Sequence, residues 1–192
     1  KNLTRLNVGF YPSWMGTAYT TLQQDKLTHL SWFSVEMDSA GGISNYNGWP
    51  GGWTDLALRC KENGTKVLLT VTLFGSSSVS TFLASPAARA NGIASLLALT
   101  VNGNADGIMV DFEYPPSGSD ANLLAFMQEL SAASNAENAL YEIHLCLMPY
   151  PWASYGFGQL PAINPYVDYY FLMGYDYFYG GSGTTGACGA RG

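Results

Sequence analysis

The chain has 192 residues, of which 47% are hydrophobic, so its composition is that of one globular domain and not of a disordered segment. Only 11% of the residues are charged, the formal net charge is −6 and there is no run of Lys or Arg, so we expect no nucleic-acid or membrane-surface partner. The longest apolar run, residues 93–101, is too short to cross a bilayer.

Strand-like runs alternate with helical patterns along the chain. Six strands are predicted, at residues 6–12, 27–35, 66–74, 105–114, 141–149 and 167–175. Three helices are predicted between them: residues 54–63 with Thr54 as cap, a second from Ser85-Pro86 to about residue 101, and a third from Ser119-Asp120 onward. This alternation indicates a parallel α/β architecture.

The number of predicted strands limits the choice of fold. Six βα units do not close an eight-stranded barrel, which typically needs about 250 residues. A doubly wound open sheet would carry a Gly-rich dinucleotide turn after its first strand, and none is present. We therefore expect one domain, residues 1–192, forming about the first six βα units of a TIM-type (β/α)8 barrel. The remainder is expected to be missing, or to be supplied by a second polypeptide.

The cysteines and histidines show no metal-ligand pattern. Cys60, Cys146 and Cys188 are too far apart in the sequence for such a motif, and three cysteines cannot all pair internally. Cys146 lies in an apolar strand and is expected to be a buried thiol. His29 and His144 also lie within predicted strands and are expected in the core. The sequence therefore predicts no metal and no cofactor.

The most informative stretch is residues 106–115, at the end of the fourth predicted strand. Apolar residues at 108, 110 and 112 alternate with Met109, Asp111 and Glu113, which is the period of a strand. Residues two apart on one strand face are roughly 6–7 Å apart at the backbone, so the two carboxyls can meet. A solvent-facing strand would alternate in the same way. The apolar flank and the Tyr114-Pro115 stop favour a functional pair of acids.

The acid stretch resembles the signature of family 18 glycoside hydrolases, the chitinase family, in which Asp-Gly-x-Asp-x-Asp-x-Glu ends the fourth barrel strand. Residues 9–14, 27–30 and 173–176 resemble the family's motifs on strands one, two and six, in the same order. Met109 departs from the pattern by replacing the first Asp of the inward-facing triplet. On strand three, Thr-Val-Thr-Leu at residues 70–73 replaces Ser-x-Gly-Gly.

The resemblance implies roles for three catalytic residues. Glu113 would be the general acid and then the base, Asp111 would orient the substrate's acetamido nitrogen, and Tyr175 would donate a hydrogen bond to the acetamido oxygen. Substrate contacts are expected from rings and polar groups near the strand ends: Phe10, Phe74, Tyr114, Met148, Tyr150, Trp152, Met173 and Asp176. Phe10 and Met173 could equally be barrel filling. We expect core packing from Trp14, Trp32 and Trp53, and solvation of Glu36, Asp38 and Glu142.

The function implied by the resemblance is that of a secreted, retaining endo-hydrolase of β-1,4-linked N-acetylglucosamine polymers such as chitin, acting by substrate-assisted catalysis. Peptidoglycan and N-glycan chitobiose cores remain open as substrates, because both carry the required 2-acetamido group. A non-catalytic chitin-binding or oligosaccharide-binding protein on the same scaffold is the alternative, and Glu113 favours the hydrolase because lectin-like relatives typically lose it. A third interpretation is an unrelated open sheet with two structural carboxylates. Met109 is expected to shift the pH optimum and lower the rate.

Overall fold

The computed structural model describes residues 3–148, 155–178 and 180–189. These residues contain seven strands: β1 Val8–Pro12, β2 His29–Met37, β3 Ile43–Asn45, β4 Lys66–Leu73, β5 Gly107–Phe112, β6 Glu142–Leu147 and β7 Tyr169–Leu172. They also contain five α-helices: α1 Thr54–Glu62, α2 Ser76–Ala84, α3 Pro86–Asn102, α4 Asp120–Glu137 and α5 Leu160–Ile163. All six predicted strands are confirmed, with ends that differ by a few residues.

Six of the strands form one parallel sheet in the order β1-β2-β4-β5-β6-β7. The short β3 pairs antiparallel with the carboxyl end of β2. Parallel strands that follow one another in chain order, with helices in the connections, have the connectivity of a TIM-type barrel. The predicted first six βα units of such a barrel are therefore confirmed. Because β5 lies between β4 and β6 and is not an edge strand, the structure does not support the third interpretation, an unrelated open sheet with two structural carboxylates.

The two sides of the sheet carry different side chains. Phe112 of β5 packs outward against Phe82 of α2 and Phe126 of α4, with ring centroids 5.5 and 5.4 Å apart. Met109, three residues earlier on the same strand, therefore belongs to the opposite, inner side. Residues paired across a parallel ladder share a side, so Thr70 and His144, which pair with Met109, also face inward. Both sides are covered in β5, since all six of its residues are buried.

The helix ends follow the predicted signals in part. Ser85 caps α3 by accepting a hydrogen bond from the Ala88 amide at 3.2 Å, as its position before Pro86 predicts. Thr54, expected as the cap of α1, is instead its first residue, and its hydroxyl donates to the Pro50 carbonyl at 3.2 Å. No single helix in the described ranges is long and apolar enough to span a membrane. Helices α2 and α3 meet that criterion of length and composition only as a pair, bent by 99°.

Several side-chain expectations can be compared with the structure. His29 and His144 are buried, as predicted, with 4% and 1% of their surface exposed. No disulfide joins Cys60, Cys146 and Cys188, which all lie in the described ranges, and Cys146 is buried. The expectation that Glu142 is solvated is wrong, because its side chain is 15% exposed and its Oε2 atom lies 2.8 and 3.2 Å from the Nε2 atoms of His29 and His144.

Candidate active site

The two acids of the signature stretch lie on the inner side of β5, at its carboxyl end. Asp111 is 3% exposed, whereas Glu113, just beyond the last strand residue, is half-buried. The residues between and below them are apolar because β5 is buried on both sides. The strand alternation therefore forces both carboxyls to the same side, one pleat apart, as the sequence predicts.

Burial changes the proton affinity of both acids. Burial first, and then the neighbouring Glu113, raise the pKa of Asp111 to about 7. Burial and the nearby Asp176 raise the pKa of Glu113 above its usual value. Asp111 Oδ1 is buried without a hydrogen-bond partner among the described residues. A buried carboxyl oxygen in this state leaves room for a donor on a ligand.

Cys146 on β6 is a neighbour of Asp111 that sequence reasoning missed. Its thiol is within hydrogen-bonding reach of the Asp111 carboxyl, and burial together with the Asp111 charge raises the pKa of the thiol well above its usual value. The sequence predicts the burial of Cys146 correctly, but not this contact. Only the β5–β6 pairing, in which Val110 is opposite Leu145, brings the next two residues side by side.

A cavity of about 270 Å³ opens beside Asp111. Its walls are mainly apolar, and Asp111, Cys146 and Tyr175 supply its polar groups; the other lining residues are Phe10, Pro12, Trp14, Phe33, Phe171 and Met173. The volume is just below the range of about 300–1,000 Å³ usual for ligand pockets. Glu113 is not among the lining residues, so the cavity wall reaches one acid of the pair and not the other.

Tyr175 and Asp176 follow the carboxyl end of β7 and lie near the two acids. Burial, and then the charges of Asp111, Cys146 and Glu113, raise the pKa of Tyr175 to about 12. The phenol therefore keeps its proton and remains a hydrogen-bond donor throughout the neutral range. Asp176 has a left-handed backbone, with φ of 57°, and its carboxylate accepts a hydrogen bond from the exposed Cys188 thiol at 3.4 Å.

The predicted substrate-binding residues are divided between several places. Phe10 and Met173 line the cavity beside Asp111. Phe74 is 51% exposed and lines a separate cavity of about 350 Å³ near Glu36 and Thr72. Tyr114 is 41% exposed and stacks edge-to-face on Tyr155 at 5.3 Å. The remaining predictions are Met148, which is buried and lines neither cavity, and Tyr150 and Trp152, which lie outside the described residues.

Trp14 is a residue whose position the sequence does not predict. It is expected in the core, yet it is 73% exposed and lines the cavity, so that expectation is wrong. Trp32 and Trp53 are buried as expected, at 3% and 0% exposure. Exposed rings beside a cavity are typical of surfaces that stack on sugars, and no local sequence pattern predicts that Trp14 is one of them.

A parallel βα wall with acidic groups at the carboxyl ends of its strands is the arrangement of a TIM-barrel enzyme. The chain belongs to the glycosyl hydrolases family 18, whose family model matches residues 7–187. The resemblance read from four sequence motifs is thereby confirmed for the family.

Individual relatives agree with this membership. The chain is 31% identical over 145 residues to a probable endochitinase of Caenorhabditis elegans, a match that covers 67% of this chain and 23% of that protein. Its fold is similar to a chitinase from Cycas revoluta solved in complex with (GlcNAc)3, with a TM-score of 0.84, 20% identity and coverage of 97% of this chain and 60% of that one. It is also similar to the C-terminal domain of a putative chitinase from Desulfitobacterium hafniense, with a TM-score of 0.76, 24% identity and coverage of 91% and 56%. The chain therefore spans only part of the length of each relative.

Proposed function

We propose that this chain supplies the acid site of a retaining endo-hydrolase of β-1,4-linked N-acetylglucosamine polymers. The observation that carries the proposal is the Asp111–Glu113 pair on the inner side of β5, beside a cavity with aromatic walls. Family membership and the (GlcNAc)3 complex of a structural relative support a saccharide with a 2-acetamido group as the ligand. Peptidoglycan and N-glycan chitobiose cores carry the same group and are substrates to be compared with chitin.

In the proposed reaction the bond between the anomeric carbon and the bridging oxygen breaks while the substrate's own acetamido oxygen bonds to that carbon. Glu113 gives its proton to the leaving oxygen. The oxazolinium formed is then opened by water, whose proton returns to Glu113, and two inversions give retention. The raised pKa of Glu113 supports this role, because an acid must hold its proton near neutral pH.

Asp111 and Tyr175 have positioning roles in this proposal. Asp111 would accept a hydrogen bond from the acetamido N–H through its buried, unpartnered Oδ1. Tyr175 would donate to the acetamido oxygen, and its high pKa keeps that donor in place. Held in this way, the attacking oxygen would lie beneath the anomeric carbon, which lowers the entropic part of the barrier.

The test compares wild type with Glu113→Gln, using release of a fluorophore from chitobiosyl and chitotriosyl conjugates. Loss of a general acid–base group typically costs about 10²- to 10⁴-fold in rate. Glu137→Gln, at an exposed position on α4, makes the same charge change away from the site and is expected to keep the wild-type rate. Equal rates for wild type and Glu113→Gln would remove the hydrolase proposal.

One observation favours a sugar-binding protein as the second candidate. The cavity wall contains Asp111 and Tyr175 but not Glu113, so the pocket has polar groups for an acetamido ligand without the proposed acid. Calorimetric titration with the N-acetylglucosamine trimer separates the two candidates. Binding without hydrolysis, unchanged by Glu113→Gln, would favour the binding protein.

A further inference from the structure

A second polar cluster lies at the opposite end of the sheet from the acids. His29 begins β2, Lys66 begins β4, and Glu142 begins β6, with His144 one pleat further along. His29 pairs with Lys66 in the ladder, and His144 pairs with Met109, so these side chains share the inner side of the sheet. The proposed hydrolytic mechanism uses none of these residues.

Three ligand atoms converge within this cluster. Glu142 Oε2 lies 2.8 Å from His29 Nε2 and 3.2 Å from His144 Nε2, and the three atoms all lie within 4.8 Å of one another. Metal–ligand bonds of about 2.0–2.2 Å in a tetrahedron place neighbouring ligands roughly 3.3 Å apart. A metal ion therefore fits between these atoms after small side-chain shifts. Two imidazoles and one carboxylate form a ligand set suited to zinc.

The two ring nitrogens of His29 have different neighbours, Thr28 at Nδ1 and Glu142 at Nε2. The Thr28 hydroxyl donates its only proton to the Asn7 carbonyl at 3.0 Å and accepts from the Asn7 amide at 2.9 Å. It also lies 2.9 Å from His29 Nδ1, and it accepts a hydrogen bond there when Nδ1 carries the proton. In that tautomer the Nε2 lone pair is available to a metal ion bound between Nε2 and the Glu142 carboxylate.

The cluster of His29, Glu142 and His144 is largely enclosed, but a route from solvent reaches it. The side chains of His29 and His144 are 6% and 2% exposed, and that of Glu142 is 15% exposed. Glu142 Oε1 is held by Lys66, which leaves Oε2 directed at the two imidazoles. The Tyr169 ring packs against both imidazoles, with centroids 6.0 and 5.0 Å away, and is 39% exposed. Tyr169 and the half-exposed Lys66 side chain thus cover the cluster and leave a route to solvent.

We propose that His29, Glu142 and His144 bind a zinc ion that joins the amino-terminal ends of β2 and β6. The fourth position is open to water, and the role is structural, since the cluster lies at the end of the strands remote from the acid pair. Thr28 acts as a positioning residue by accepting from His29 Nδ1, the arrangement common for metal-bound imidazoles. The proposal is independent of the hydrolase proposal.

The test uses purified, chelator-treated protein titrated with Co²⁺, followed by its visible absorption, and with Zn²⁺, followed by calorimetry. One equivalent is expected to bind. Thr28→Val removes the acceptor for Nδ1 and is expected to weaken binding by about 10- to 100-fold, whereas Thr28→Ser keeps the hydroxyl and is expected to bind as wild type does. His144→Gln is expected to abolish one-to-one binding.

Two controls keep the outcome decisive. Glu137→Gln changes the charge at an exposed site and is expected to leave binding unchanged. Circular dichroism shows whether each variant is folded, and the conservative Thr28 pair carries the test if His144→Gln is not. The proposal is overturned if wild type binds no equivalent of metal, or if Thr28→Val and His144→Gln both bind with the wild-type constant, which would mean adventitious binding elsewhere.

Discussion

At the scale of single residues, Asp111 has the most strongly perturbed environment of the acid pair. It is almost fully buried, it lies one pleat from Glu113, and one of its oxygens has no hydrogen-bond partner in the described chain. Its pKa, raised to about 7, means that folding favours the protonated carboxyl. The folded state therefore binds a proton that the unfolded state releases above about pH 4.

This difference predicts a pH-dependent stability effect of Asp111→Asn. A raised folded-state pKa contributes stability that is present below the unfolded pKa and lost as the pH rises through about 7. An asparagine has no such titration. The unfolding free energy of wild type minus that of the variant should therefore fall between pH 4 and pH 8 by up to about 4 kcal/mol. Urea unfolding at several pH values measures it, and a difference that does not vary with pH would contradict it.

The hydrogen bond between Cys146 and Asp111 leads to a second prediction, about the pKa of the Asp111 carboxyl. This bond lowers the Asp111 pKa, opposing the effect of burial. Cys146→Ala removes that bond and should move the midpoint of the pH-dependent stability to higher pH, while Cys146→Ser retains a donor and should not. Carbon-detected titration of the Asp111 carboxyl gives the same midpoint directly. A shift of equal size and sign in both variants would indicate altered packing instead.

Some side-chain positions in the site can be predicted from the sequence, and others cannot. The positions of Asp111 and Glu113 follow from strand alternation, which is local, and their shared side is predicted correctly. The contact of Cys146 with Asp111 depends on the register of β6 against β5, and the exposure of Trp14 depends on how the turn after β1 leaves the sheet. Neither is encoded in a local pattern.

At the scale of elements, one buried arginine joins three helices. Arg89 of α3 is 6% exposed, and its Nε and Nη2 atoms donate to the two Glu129 oxygens of α4 at 2.9 and 2.8 Å. Its Nη1 donates to the Leu83 carbonyl near the end of α2 at 2.6 Å. A guanidinium can satisfy all three acceptors at once because its donors are planar and fixed.

Arg89→Lys should therefore destabilise the fold although it keeps the charge. A lysine cannot form the paired bonds to Glu129 and reach Leu83 as well, so we expect a loss of about 1–3 kcal/mol in the free energy of unfolding. Arg59→Lys is the matched control, because Arg59 forms an exposed i,i+4 pair with Asp55 at 2.9 Å. That change should cost much less, because an exposed pair of this kind contributes little to stability. Equal losses in the two variants, measured by denaturant unfolding, would contradict the assigned role of Arg89.

Three elements escape sequence prediction: helix α2, the four-residue helix α5 and strand β3. Helix α2 begins with Ser76, Ser77 and Ser78, residues that favour caps and turns over helix interiors, so its sequence gives only a weak helical signal. Strand β3 has three residues and exists only because β2 extends far enough to pair with it. The six strands of the parallel sheet and helices α1, α3 and α4 are predicted because their apolar patterns fit a strand or a helix.

At the scale of the whole molecule, the parallel sheet has two edge strands, β1 and β7. Within the described residues, β1 pairs only with β2, and β7 pairs only with β6. The backbone groups on the outer side of such a strand are a template for pairing with another chain. Leu172 of β7 adds an apolar side chain that is 49% exposed. A protein prepared from these 192 residues alone is therefore expected to associate with itself through this edge.

Leu172→Lys tests this expectation, because a charged side chain on an edge strand opposes edge-to-edge pairing. We expect wild type to show an average mass that rises with concentration, and the variant to associate about tenfold more weakly. Leu58→Lys, at a 53% exposed position on α1, makes the same change away from the sheet and should associate as wild type does. Size-exclusion chromatography with light scattering measures all three proteins. A monomeric wild type, or equal weakening by the two variants, would mean that the β7 edge does not drive association.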